Sequence, residues 1–136
     1  MPMADFLQLE IVTPDRLVEK DTVSEVEIPG RDGYLGILPG HAPLITELGV
    51  GEIRYRGDGM QYRLAVAWGF AEVLPDKVTI LAETAERASE IDVNRAREAR
   101  ERAEEHLRTA DEVETTDKAL DELARAENRI AVAEGK

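Results

Sequence analysis

VTILAETAERASEIDVNRAREARERAEEH, residues 78–106, changes its apolar period partway along. Val78, Ile80 and Ala82 fall at every second position, the spacing of a strand with one buried face. From Asp92 the spacing becomes helical, because Asp92, Ala96, Ala99, Ala103 and His106 are separated by alternating steps of four and three. Composition changes at the same place. Every aromatic residue, every proline and every glycine except Gly135 lies before residue 86, and the remainder of the chain is rich in Ala, Glu and Arg. Two domains are expected, a β domain over 1–86 and a helical one over 87–136.

Upstream, the period of two recurs. Leu7, Leu9 and Ile11 alternate with Gln8 and Glu10, Val26 and Ile28 flank Glu27, and Ile53 and Tyr55 alternate with Glu52, Arg54 and Arg56. Met60, Tyr62, Leu64, Val66 and Trp68 continue it, with Gly57-Asp58-Gly59 just before them as the positive-φ residues of a hairpin turn. Val78–Ala82 comes after the Pro75-Asp76 turn as a further strand. Many short strands with turn signals between them predict an all-β sandwich or barrel.

Downstream, a second series, Ala119, Leu123, Ala126, Ile130 and Ala133, repeats the spacing of four and three. Two amphipathic helices joined by a short linker predict an antiparallel hairpin. Ser89 with Asp92 reads as a capping box for the first helix, and Thr115 or Thr116 as the N-cap of the second. The seam is mostly alanine. Each alanine buries little more than one methyl, about 0.8 kcal/mol, so such a hairpin closes tightly and opens cheaply.

Composition excludes several classes of function. With 43% hydrophobic residues among 136, the chain has enough apolar side chain for a core. A formal net charge of -12 repels phosphate backbones and anionic lipid, so nucleic acid and the membrane surface are poor direct partners. There is no cysteine, hence neither disulfide nor thiolate metal site. No apolar run approaches the roughly 20 residues of a membrane span, and MPMADFLQLE lacks a basic segment followed by an apolar one. A soluble, untargeted chain is expected, whether or not Met1-Pro2 is its native start.

IPGRDGYLGILPGHAPLITELGVGEIRY (28–55) and VAWGFAEVLPDKVTILAETAERASEIDVNRA (66–96) closely resemble the epsilon subunit of bacterial and chloroplast F-type ATP synthases. The match runs from about Leu7 to the end, and GYLGILPGHAP at 33–43 is a specific marker. The resemblance implies a noncatalytic rotor subunit. Its sandwich clamps the foot of the gamma subunit and touches the ring of c subunits, while its two C-terminal helices regulate ATP hydrolysis by the alpha/beta head. It also implies a peripheral protein on the cytoplasmic face of the bacterial inner membrane, or on the stromal face of the thylakoid in a chloroplast. Neither nucleic acid binding nor direct membrane insertion is expected.

His41 has no nucleophile, triad carboxylate or second metal ligand at recognisable spacing. It reads as a loop-packing or interface residue, with Pro39, Ala42 and Pro43 holding an apolar ridge of Leu38, Leu44 and Ile45 for docking. By resemblance this loop faces gamma and the c-ring.

Ile91-Asp92-Val93-Asn94-Arg95-Ala96 matches the motif that in some epsilon subunits goes with ATP bound to the folded hairpin. By position the resemblance adds Glu86, Arg102, Arg125 and Arg129. Arg95 and Arg102 share a helix face, and Arg125 and Arg129 are one turn apart, so a closed hairpin could gather four guanidinium groups on a triphosphate. Ala96 would leave room for the nucleotide beside the helix. The plainer reading is two solvated i,i+4 pairs, Glu98 with Arg102 and Asp121 with Arg125, worth about 0.2 to 0.5 kcal/mol each. No cofactor is required, no metal site is expected, and ATP with magnesium enters only as a regulator, since no phosphate loop of the Walker type is present.

Fully extended, the helical region would reach roughly 75 Å at about 1.5 Å per residue, enough to run up a stalk. By resemblance, Arg95, Arg97, Arg100, Arg102, Arg108, Lys118, Arg125 and Arg129 are candidates to meet acidic loops of the catalytic beta subunits. The region is nonetheless net acidic, with ten Lys/Arg against fifteen Asp/Glu over 86–136, which argues against strong inhibition. An enzyme is disfavoured for want of any assembled nucleophile, base and oxyanion donor. A free-standing ATP-sensing module is the better alternative to a stalk subunit.

Overall fold

The computed structural model describes residues 5–135. Seven strands come first: β1 (Leu7–Val12), β2 (Leu17–Val23), β3 (Glu25–Gly30), β4 (Gly33–Ile37), β5 (Leu44–Gly57), β6 (Met60–Val73) and β7 (Lys77–Arg87). A single 3-10 turn at Ala88–Glu90 leads into α1 (Val93–Thr109) and α2 (Val113–Glu134). The chain divides into two compact units, Met1–Glu86 and Arg87–Lys136.

In the first unit the strand order is β2-β1-β7-β6-β5-β3-β4. β1 runs parallel to β7, with Leu9 opposite Val78 and Ile11 opposite Ile80; the β1–β2, β3–β4, β3–β5 and β5–β6 pairs are antiparallel. The sheet folds over on itself. Tyr55 of β5 donates its hydroxyl proton to Glu19 of β2 at 3.0 Å, and the Ser24 amide donates to the Arg56 carbonyl at 2.8 Å. The enclosed core draws on every strand, with Leu7, Leu9, Ile11, Ile28, Ile53, Val73 and Ile80 fully buried.

β5 and β6 form the long hairpin, and its turn is made by Asp58 (φ 52°) and Gly59 (φ 75°), with Gly57 paired to Met60 as the last rung. Two central residues with positive φ match the right-handed twist of the strands. β2 and β4 were not foreshadowed by the apolar period. They are the two edges of the sheet. β2 buries only Val18 and Val23 around a polar middle, and β4 buries only Ile37, so neither shows an alternation.

In the second unit α1 and α2 pack as a hairpin around Ala96, Ala103, Ala119, Ala126 and Ile130, all buried. Three expectations are corrected here. The N-cap of α1 is Asp92, whose Oδ1 accepts from the Arg95 amide at 3.1 Å; Ser89 sits in the preceding 3-10 turn. α2 begins at Val113 after Glu112, and Thr115, already its third residue, accepts at Oγ1 from the Glu112 amide at 3.3 Å. His106 is exposed and so lies off the buried seam. Gly135 closes α2 in the left-handed conformation, φ 73°.

Candidate functional site

The 38–45 segment presents an apolar edge. Leu38 is 59% exposed, Ile45 71% and Leu44 36%. Leu44 and Ile45 belong to β5, where they stand opposite Val73 and Glu72. The turn before them is fixed by backbone bonds, from the Gly40 amide to the Pro75 carbonyl at 2.7 Å and from the His41 amide to the Leu38 carbonyl at 3.1 Å. The His41 ring is spent on its own loop, with Nδ1 2.7 Å from the Ala42 carbonyl oxygen. A carbonyl only accepts, so Nδ1 carries the proton. The His41 ring is thus held by a bond within its own loop.

A polar cluster escaped the sequence reading. Glu52, expected on the exposed face of its strand, is only 6% exposed. Arg63 grips its carboxylate with Nε at 2.8 Å and Nη2 at 2.5 Å, Arg54 bonds the same carboxylate, and the Glu52 amide donates to the Tyr34 hydroxyl at 3.1 Å. Burial pushes the Glu52 pKa up; the hydrogen bonds and charges of Arg63 and Arg54 outweigh it and hold the carboxyl below its ordinary value. Alternation alone marks such a residue as exposed because the groups that cover it come from Arg63 and Arg54, not from the core.

In the hairpin, a cavity of about 400 Å3 lies between α1 and α2, lined by Ala99, Arg102 and His106 on one side and Glu122, Arg125, Ala126 and Arg129 on the other. Three of the four arginines assigned to a triphosphate therefore share one cavity. Arg95 is at the start of α1 outside this lining, Ala96 is fully buried in helix packing, Ile91 is buried, and Glu86 belongs to β7 in the other unit. Of the two i,i+4 pairs, Asp121 with Arg125 forms at 2.9 Å and Glu98 with Arg102 does not. Arg102 makes no ion pair among the described residues, nor do Arg95 and Lys118. Arg97 pairs across the hairpin with Glu134 at 3.5 Å, Arg100 pairs with Glu104 at 3.6 Å, and Arg108 with Glu105. A second cavity of about 290 Å3 nearer the tip includes Thr109, Thr115 and Lys118 and shares His106 and Glu122 with the first. The first cavity thus gathers three guanidinium groups, one of them paired with Asp121, together with the Glu122 carboxylate. Among the described residues no group of His, Asp and Glu is arranged to hold a metal ion, and no helix is long and apolar enough to cross a membrane.

Comparison with known proteins gives a consistent answer for both halves. Residues 6–88 match the family described as ATP synthase, Delta/Epsilon chain, beta-sandwich domain, and residues 89–134 match its long alpha-helix domain. The ATP synthase epsilon chain of Koribacter versatilis is 67% identical over 108 residues, which cover 79% of this chain and 76% of the relative. That of Solibacter usitatus is 47% identical over 135 residues, 98% of this chain and 100% of the relative. A chain in the Euglena gracilis mitochondrial ATP synthase (OSCP/F1/c-ring) has the same fold, with a TM-score of 0.83 at 22% identity over 94% of this chain and 81% of that one. A chain of the Tetrahymena thermophila mitochondrial ATP synthase central stalk and c-ring superposes at a TM-score of 0.66 with 11% identity, over 98% of this chain and 99% of that one. With both domains matched and a relative 47% identical over its entire length, the chain belongs to the ATP synthase epsilon chain family, the members of which are noncatalytic subunits of a membrane-associated complex.

Proposed function

We propose that the chain is a rotor subunit whose sandwich couples the c-ring to gamma and whose helical hairpin is a conformational brake on ATP hydrolysis, held closed by ATP with magnesium. The exposed Leu38, Leu44 and Ile45 edge supports docking, since its turn is braced by the Pro75 contact and orders at little cost. The observation that carries the regulatory reading is the basic cavity: Arg102, Arg125 and Arg129 converge between α1 and α2 only while the hairpin is closed. A ligand bound to the closed state alone stabilises it by mass action. In this reading Asp92 acts on the site through the backbone, capping α1 and fixing the start of the helix that carries Arg95 and Arg102. Released, the two helices offer Arg95, Arg97, Arg100, Arg108 and Lys118 to the catalytic head. The complex works on the cytoplasmic face of the bacterial membrane.

The test is the hydrolysis rate of the catalytic head with gamma, measured with no addition, with the full chain, and with a chain ending at Glu86. Binding by both forms and slowing by the full chain alone is the expected result. If both bind and neither slows hydrolysis, the brake is refuted and a coupling clamp remains. Failure of either form to co-purify with gamma would instead favour the free-standing ATP-sensing module.

A further inference from the structure

Resting on the nucleotide reading of the hairpin cavity, we propose that His106 and Glu122 form a protonation-dependent wall of that site, so that its hold on a triphosphate tightens as pH falls. The two side chains meet across the hairpin, with His106 Nδ1 3.0 Å from Glu122 Oε2, and both line the basic cavity with Arg102, Arg125 and Arg129. Because a carboxylate at neutral pH only accepts, Nδ1 carries a proton already, and the additional proton of the charged ring goes to Nε2.

That placement has a consequence for charge. With the ring neutral, the Glu122 carboxylate offsets part of the positive field of the three arginines. With the ring charged, Glu122 is neutralised at 3.0 Å and the field at the cavity becomes more positive. The other charged groups near His106 are few. On α1, Arg102 lies one turn before it and Glu105 next to it is engaged by Arg108; on α2, Arg125 is engaged by Asp121; on the tip side, Lys118 and Asp111 line the second cavity and oppose one another in sign. Imidazole is the side-chain type that changes charge between about pH 5 and 8. His106 is the imidazole that lines this cavity.

Linkage requires the effect to be mutual: if protonation tightens binding, binding draws in a proton. The terminal phosphate also gains a proton near pH 6, which works in the opposite direction, so the comparison with a His106 variant isolates the protein's part.

The experiment is calorimetric titration of the full chain with MgATP at about pH 6 and about pH 8, on either side of the imidazole range. The expected result is binding roughly three- to tenfold tighter at the lower pH after the His106→Gln slope is subtracted, the scale of one unit charge acting through water-like screening at an exposed side chain. His106→Lys, charged at both pH values, should bind with the tighter affinity at both and lose the protein-derived slope. Glu122→Gln should raise affinity at about pH 8, and circular dichroism on each variant monitors the helices. A pH slope identical in the parent chain, His106→Gln and His106→Lys would overturn the proposal while leaving nucleotide binding intact. Absence of MgATP binding at both pH values would overturn the nucleotide reading itself, and this proposal with it.

Discussion

Gly69, at φ 123°, stands where a Cβ would lie 2.0 Å from the Leu81 carbonyl oxygen of the neighbouring strand. Both facts forbid a side chain, since the conformation is strained for an L-residue and the obstacle is backbone rather than a flexible side chain. Gly69→Ala is expected to cost about 3 kcal/mol or more of sandwich stability, read from urea unfolding. Wild-type stability in the Gly69→Ala chain would mean that β6 and β7 separate there at no cost. Glu52 carries a different kind of constraint. Its folded pKa lies below the ordinary 4.5, so its contribution is fully present above that value and is lost as pH falls through the folded pKa. Glu52→Gln should destabilise the chain near neutral pH by about 1.5 to 3 kcal/mol, because Arg63 and Arg54 lose the carboxylate they share, and the variant should lack this part of the acid-induced loss. Parallel stability–pH curves for the two chains below 4.5 would refute the assignment.

At the scale of elements, what could be read in advance tracked burial on both sides of a strand. β1, β3, β5, β6 and β7 announce themselves through Leu7-Leu9-Ile11, Val26-Ile28, Ile53-Tyr55, Leu64-Val66 and Val78-Ile80, each buried at every second position, although Met60, Tyr62 and Trp68 of the β6 run are exposed. β2 and β4 do not, because an edge strand is paired on one side only and keeps residues such as Lys20 and Thr22 at the solvent. The hairpin seam was legible for Ala96 and Ala103, which are seven apart and nearly eclipsed on an α-helix; a further step of three turns His106 about 60° away, and it leaves the seam. The cavity of the candidate site could be read only as far as its arginines. Glu122 and His106 enter it through the relative rotation of two helices, which no spacing within one helix encodes. The cap at Asp92 makes a local prediction: Asp92→Ala should cost the hairpin about 1 kcal/mol, seen as faster amide exchange in α1 with β1 to β7 unchanged. Unchanged exchange in the first turn of α1 would show that the Arg95 amide finds another acceptor.

For the whole molecule, the division of the chain into two compact units, Met1–Glu86 and Arg87–Lys136, is the property that matters. The sandwich core ends at Ala85, and the hairpin closes on its own alanines, so a chain ending at Glu86 should fold with a near-wild-type unfolding midpoint. The brake reading then turns on the balance between closed and open hairpin, and that balance can be shifted from inside the seam. Ala126 is 2% exposed. Ala126→Leu places three extra carbons in a contact sized for a methyl, which costs the closed state about 1 to 3 kcal/mol and shifts the closed-to-open ratio by roughly fivefold to more than a hundredfold. The sandwich lies outside this change, so binding to the stalk should persist. If open helices are the brake, the variant inhibits the catalytic head more strongly than the parent chain at equal occupancy, and more ATP is needed to relieve it. Spin labels on α1 and α2 report the opening independently of activity. Opening without stronger inhibition would show that the released helices do not act on the head, and would leave the hairpin as a nucleotide-responsive element without a mechanical output.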